Sequence, residues 1–314
     1  MNQITILIPA YNEEEVLYPL YERLCDVFDS LPLFEFEILF VNDGSRDNTM
    51  SIIKALRKSD PRISFVDLTR NFGKEIAMMA GFDYAKGDAV IIIDADLQDP
   101  PELIPEMIKY WQDGFEDVYA KRRTRAGETW FKKWTSSLFY SLLQKFSSIP
   151  IQPNTGDFRL LDRRCIEALK QMRETQRYTK GMFSWIGFNK KEILFDRDAR
   201  LAGKTKWNYI KLIDLAIEGI TSFTTKPLRI SALFGFAISL FAFIYIVWIV
   251  FKTLIYGESV AGYPSLMTVV LFLGGIQLLS LGVIGEYLGR IFNETKKRPL
   301  YFVNEYNDFK KMAE

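Results

Sequence analysis

Asp94 and Asp96 close the run Val90-Ile91-Ile92-Ile93-Asp94-Ala95-Asp96-Leu97-Gln98-Asp99-Pro100-Pro101, in which apolar residues give way at once to acids one residue apart. Such a stretch suits a central strand covered on both faces, which would deliver its carboxylates to the strand's end. Like charges this close are unfavourable unless a cation or hydrogen-bond donors stabilise them, and hard oxygen ligands suit Mg2+ or Mn2+. Asp94, Asp96 and the amide of Gln98 are therefore the candidate metal ligands, beside a nucleotide site. Asp99 has a plainer expected role: followed by Pro100 and Pro101, it fits the N-cap of a helix whose first turn tolerates proline.

Composition excludes much other chemistry. The 314-residue chain has no histidine, which removes Ser-His-Asp and Cys-His catalysis and every His-containing zinc site. Its 40 basic and 39 acidic residues nearly cancel, so no general affinity for nucleic acid follows. Cys25 and Cys165 lie far apart in helix-like stretches and are expected as buried free thiols, not a disulfide or a redox pair. Gly203-Lys204-Thr205 invites comparison with a phosphate-binding loop, but Asp198 stands where that loop needs glycine.

The acids need elements to position them. Residues 4–10 read as a buried strand, after which Tyr11-Asn12-Glu13-Glu14-Glu15 is expected to enter a helix with its acids in the first turn. A second strand over 37–45 ends at Asp43-Gly44, and strands over 63–68 and 89–94 follow, each with a helix behind it. Strands alternating with helices imply parallel βαβ units whose ligands collect beyond the carboxyl ends of the strands. Pro9 to Tyr11, Asp43 and Asp94 to Asp96 all fall on that edge. Further short strands are expected over 117–121, leading into the cationic turn Arg122-Arg123-Thr124-Arg125, and over 155–161, which carries Asp157 and Arg159.

Residues 230–251 and 264–285 carry no charge, and about 20 apolar residues span a bilayer core. Both are expected as transmembrane helices. Basic residues flank the pair at Lys226, Arg229, Arg290 and Lys296 to Arg298, which places both termini on the cytoplasmic side. No secretory signal is read ahead of Ile4, so the N-terminal domain is expected in the cytoplasm as well. Residues 127–148, with Trp130, Trp134 and nearby lysines, and 207–220, with isoleucines at helical spacing, are expected as interfacial helices. The glycines of the second span, among them Gly282, Gly285 and Gly289, would allow close helix packing, within the hairpin or in a homo-oligomer.

Pro9-Ala-Tyr11-Asn12-Glu13-Glu14, Val41-Asn-Asp43-Gly44-Ser45, Asp94-Ala-Asp96-Leu-Gln98, Thr155-Gly-Asp157-Phe-Arg159 and Gly203-Lys204-Thr-Lys206 together resemble the bacterial polyprenyl-phosphate glycosyltransferases, relatives of dolichyl-phosphate mannose synthase. The likeness extends to the membrane segments. It implies a mostly parallel, Rossmann-like sheet domain of the GT-A type over 1–203, an interfacial helix over 204–227, a hairpin over 228–290 and a cytoplasmic tail over 291–314. By that resemblance Pro9, Tyr11, Asn12, Glu13, Val41 and Asp43 would hold the base and ribose, and Ala95 would pass close to the nucleotide beside Asp96. Arg122, Arg200 and Lys206 match positions that contact phosphates, and Arg123 and Lys204 are further candidates for the acceptor phosphate. Asp157 would be the base or acceptor-orienting carboxylate of an inverting transfer. Its alternative is a salt bridge to Arg159 or a neighbouring basic residue.

The resemblance implies a membrane-bound enzyme that moves a sugar, foremost glucose from UDP-glucose, onto polyprenyl (undecaprenyl) phosphate at the inner membrane. A GDP-mannose-dependent synthase or a non-catalytic membrane scaffold with a transferase-like domain are the alternatives. A processive polysaccharide synthase would carry a Gln-x-x-Arg-Trp motif, which is absent.

Overall fold

The structure is a computed structural model that describes residues 2–123, 155–175, 177–196, 224–256 and 262–308. Arg200, Lys204, Lys206 and the interfacial segments 127–148 and 207–220 lie outside the described residues.

Strand β1 (Asn2–Ala10) pairs in parallel with β2 (Phe34–Asn42) and with β4 (Ala89–Ile92), and β2 pairs in parallel with β3 (Ile63–Leu68). Helices α1 (Leu17–Asp29), α2 (Thr49–Ser59) and α3 (Lys74–Tyr84) make the crossovers. Beyond β4 come α4 (Ile104–Gln112), β5 (Asp117–Arg122) and β6 (Thr155–Asp162), then α5 (Arg163–Gln171), α6 (Thr179–Trp185) and β7 (Lys190–Phe195). β6 runs antiparallel to both β4 and β5, while β7 is parallel to β5. The last strand, β8 (Val303–Asn307), lies antiparallel on β3, so the eight-stranded order is β7-β5-β6-β4-β1-β2-β3-β8. This is the mostly parallel, Rossmann-like sheet that the alternation of strands and helices implied.

The period of two along each strand divides the core. Ile4, Ile6 and Ile8 of β1 join Leu17, Leu20, Ile53 and Ile104 on one face. Leu7, Leu39, Val66 and Ile92 pack against Ala77, Met78, Ile166 and Phe183 on the other. Strands buried on both sides explain why the runs read as continuously apolar.

The sequence expectation differs from the structure in several places. Helix α1 starts at Leu17, with no acid in its first turn. Residues 11–16 form a turn instead, because their backbone donors are taken by another loop: Asn12 N–H by Ser45 Oγ (3.0 Å), Glu13 N–H by Thr49 Oγ1 (2.8 Å) and Glu14 N–H by Asp47 Oδ2 (3.3 Å). Asp99 is not a cap. The turn at Pro101–Leu103 follows Pro100 with no side-chain capping bond, and Asp99 is buried. Cys165 is buried as expected and Cys25 is only half-buried, and both are free thiols.

Two long helices, α7 (Lys226–Tyr256) and α8 (Tyr263–Thr295), are apolar enough over 226–245 and 272–295 to cross a membrane by length and composition. Leu233, Phe234, Phe236, Phe241 and Phe243 stand exposed along α7, an apolar surface far larger than a water-facing monomer normally shows. α8 runs past the expected hairpin end at 290, and the tail is not a separate segment: it returns to the sheet as β8. The return is tied down by the Thr69 N–H to the Phe302 carbonyl (3.0 Å), Asn304 Nδ2 to Asp67 Oδ2 (2.8 Å), Tyr301 Oη to Asp83 Oδ2 (2.7 Å) and Lys86 to Asp308. Thr175, in the loop after α5, donates to Glu294 near the end of α8.

Candidate active site

The ends of β1, β2, β3, β4 and β6 meet at one edge. β1 brings Pro9, in register with Val41 of β2, and Ala10, in register with Asn42. Asp43 follows β2, buried, with its N–H on the Ala10 carbonyl (2.9 Å). Its carboxylate accepts the N–H of Phe72 (2.7 Å) and of Gly73 (2.9 Å), so the loop between β3 and α3 is fastened to the end of β2. Burial raises the Asp43 pKa, and those two backbone donors and Arg70 oppose the rise. The fastening requires glycine twice. A Cβ on Gly44 (φ +64°) would lie 2.4 Å from the Arg70 carbonyl carbon, and Gly73 turns the chain at φ +98°, a region that L side chains rarely adopt.

Asn12 and Glu13 hang over the same edge. Asn12, at φ 57°, accepts the Arg46 N–H (2.8 Å), and the cleft there is lined by Asn12, Glu13, Glu14, Arg46 and Asp47. Tyr11 is half-buried beside it. The sequence candidates for the base and ribose therefore do come together.

Asp94 lies two residues beyond β4. The antiparallel register Ile92↔Arg159, carried on by two residues, sets Asp94 opposite Asp157 of β6. Between them is Lys74, the first residue of α3, with Nζ 2.6 Å from Asp94 Oδ1 and 2.5 Å from Asp157 Oδ2. Burial alone would raise the Asp157 pKa, but the charges of Lys74 and Lys180 outweigh it and hold the carboxyl well below the usual range. Lys74 is correspondingly held well above its usual range, desolvation being outweighed by Asp157 and Asp94. Of the basic residues that could pair with Asp157, the partner is Lys74 and not Arg159. That guanidinium lies beneath the site, 3.2 Å from Asp117, both side chains fully buried.

Asp96 Oδ1 accepts the Gln98 N–H (3.2 Å) across Leu97, which sits at φ 57° in a strained turn. Ala95 is buried behind it. Asp99 is pushed up to about 7 by burial and by the Asp94 charge, against the pull of Arg122. Arg122 ends β5 with its Nε buried and without a hydrogen bond, and its Nη2 is 3.6 Å from where a Cβ on Gly156 would sit. Arg123 forms a largely exposed pair with Asp196, 3.8 Å away.

Among the described residues, no group of three or more His, Cys, Asp or Glu side chains could hold an ion alone. The donor set still fits one: Asp94 and Asp96 are hard carboxylates on one loop, and Mg2+ usually takes one or two carboxylates and completes its shell with water and substrate phosphate.

Lys74, Lys180 and Asp99 belong to this site although no motif marked them. The strand-end rule applied to β3 marks the loop after Leu68 as part of the same edge, without distinguishing Lys74 at its far end.

A family model of glycosyl transferase family 2 matches residues 5–170, and one of the GtrB C-terminal hairpin matches residues 226–291. The chain belongs to glycosyl transferase family 2 and is a glycosyltransferase. Within that family it is 50% identical to an uncharacterized glycosyltransferase, sll0501, of Synechocystis sp., over 96% of this chain and 95% of that one. It is 48% identical to a prophage bactoprenol glucosyl transferase homolog of Escherichia coli, and 46% identical to the bactoprenol glucosyl transferase of Shigella phage SfX, each over 96% of this chain and 98% of the relative. The two relatives named for bactoprenol glucosyl transfer are of the bacterial polyprenyl-phosphate glycosyltransferase kind that the motifs resembled.

Proposed function

We propose that this enzyme transfers glucose from UDP-glucose to a polyprenyl phosphate, undecaprenyl phosphate foremost, at the cytoplasmic face of the inner membrane. The observation that carries this reading is the full-length likeness, hairpin included, to relatives named for bactoprenol glucosyl transfer. In this reading residues 1–203 are the catalytic domain, 204–227 lie on the membrane surface, and α7 and α8 cross the bilayer. β8 supports the topology: the chain beyond the second span rejoins the sheet that the N-terminus begins, so both ends lie on one side.

Pro9, Tyr11, Asn12, Glu13, Val41 and Asp43 would hold the base and ribose, with Asp43 keeping the loop over 69–73 in place beneath them. A divalent ion on Asp94, Asp96 and Gln98 would neutralise the charge that accumulates on the departing nucleoside diphosphate. The acceptor needs little help as a nucleophile, because a phosphate monoester with a second pKa of about 6 is already anionic at neutral pH. Asp157 is a poor base while Lys74 holds it ionised, and its role is to orient the attacking phosphate and the sugar for inversion. Arg122, with an unspent buried donor, fits a phosphate contact, and Arg123, Arg200, Lys204 and Lys206 would complete the cationic side.

The test is the purified full chain in detergent with undecaprenyl phosphate and a panel of radiolabelled nucleotide sugars, with and without EDTA. Labelled lipid from UDP-glucose alone, lost in EDTA and in Asp96→Asn, is expected. Transfer only from GDP-mannose would change the donor, full activity in EDTA would remove the metal, and no transfer from any sugar would leave a scaffold.

A further inference from the structure

Lys74 is at an unusual place for a cation. It is the first residue of α3, where the helix dipole favours negative charge, and Glu75 beside it follows that preference. What holds the ammonium there is the facing pair of carboxylates, Asp94 and Asp157, at 2.6 and 2.5 Å. Two carboxylates facing each other across neighbouring strand ends need a positive charge between them, and Lys74 supplies it.

The three side chains differ in freedom. The Asp157 side chain is 14% exposed and Asp94 29%, both on strand ends, whereas the Lys74 side chain is 41% exposed on a flexible stem. The backbone beneath Lys74 is fixed by the two bonds from Phe72 and Gly73 to Asp43. Its root is therefore fixed, and the two carboxylates hold its tip. A divalent ion approaching Asp94 meets a charge of its own sign already seated on that carboxylate.

We propose that Lys74 is a positioning residue that competes with the divalent ion for Asp94 in the donor-free enzyme and, once the ion has taken Asp94, remains on Asp157 to hold that carboxylate in place. The inference rests on Asp94 and Asp96 as the metal-holding carboxylates. It makes metal entry weak until the diphosphate of the donor adds its own ligands, which ties occupancy of the metal site to the arrival of substrate.

Mn2+ binding to the full chain in detergent, followed by electron paramagnetic resonance without any donor, tests it. Lys74→Met should bind Mn2+ about tenfold more tightly than wild type, since the competing unit charge is gone. In turnover the same variant should lose kcat with little change in donor KM, because Asp157 is no longer held. Lys74→Arg, which keeps the charge, should restore the weak wild-type Mn2+ affinity and much of kcat, an outcome that a merely structural lysine would not give. Equal Mn2+ affinity in wild type and Lys74→Met overturns the inference. Mn2+ affinity of the UDP-bound protein that Asp96→Asn fails to move removes the metal reading itself, and this inference with it.

Discussion

Arg159 pairs with Asp117 at 3.2 Å, both side chains fully buried, two residues along β6 from Asp157 and on the same face of the sheet. The guanidinium also lies over the Phe183 ring, 3.8 Å from its centroid, and Lys190 approaches Asp117 at 3.6 Å. The Arg159 charge is therefore taken up by Asp117, which leaves Asp157 to Lys74.

Removing one partner of such a pair leaves a buried charge uncompensated. Asp117→Ala is expected to destabilise the sheet domain by about 3–5 kcal/mol. Denaturant unfolding monitored through the catalytic domain measures this, and a loss below about 1 kcal/mol, the size of an exposed pair, would contradict the buried-pair account.

Asp43→Ala should weaken the donor complex. It strips the acceptor from two backbone N–H groups, and an unsatisfied buried donor costs about 1–3 kcal/mol. Donor KM should rise by roughly tenfold or more, while Asp43→Asn, which keeps one acceptor oxygen, should fall between that variant and wild type. Identical nucleotide affinities in all three proteins would dissociate Asp43 from the donor.

Arg122→Ala is expected to reduce transfer to lipid phosphate by roughly ten- to a hundredfold, the worth of a hydrogen bond to a charged group. Added salt should reproduce part of the loss in the wild-type protein, as the attraction of anionic head groups is screened. Unchanged kinetics in the variant would take Arg122 out of the phosphate site.

Asp60 gives a pH-dependent handle far from the chemistry. Burial raises its pKa, but hydrogen bonds from Arg62 and from Tyr21 prevail and hold it below its ordinary value. An acid depressed in the folded state contributes stability that is present above its unfolded pKa, about 3.9, and lost as pH falls through the folded one. Asp60→Asn should therefore lower the melting temperature at pH 7 and approach wild type as the pH is taken below about 4. A gap between the two proteins that is constant with pH would mean that the ionised carboxylate contributes nothing.

The central strands were legible because burial on both faces leaves uninterrupted runs such as Ile4 to Ile8 and Val90 to Ile93, and polar residues at their ends mark the edge. β7 and β8 carry no such signal: at the rim of the sheet, Val303–Asn307 is only half-buried and reads as charged tail. The glutamates at 13–15 imitate a helix start because side-chain chemistry alone does not reveal that Thr49 and Asp47 claim their N–H groups. Lys74 escaped notice for a different reason. A single lysine at a helix start has no local pattern, and its meaning comes from Asp94 and Asp157, 20 and 83 residues away in sequence.

The pairing of β8 with β3 also orders events during synthesis. β3 emerges early, yet among the described residues its outer edge is covered by residues 303–307, which follow both long helices in the chain. Until those helices have been made, the nascent sheet carries an open strand edge, the kind that recruits neighbouring chains into aggregates. A polypeptide stopped short of the hairpin would thus hold most of the candidate site residues on a sheet with an unprotected flank. Completion of the sheet waits until the hairpin has been translated.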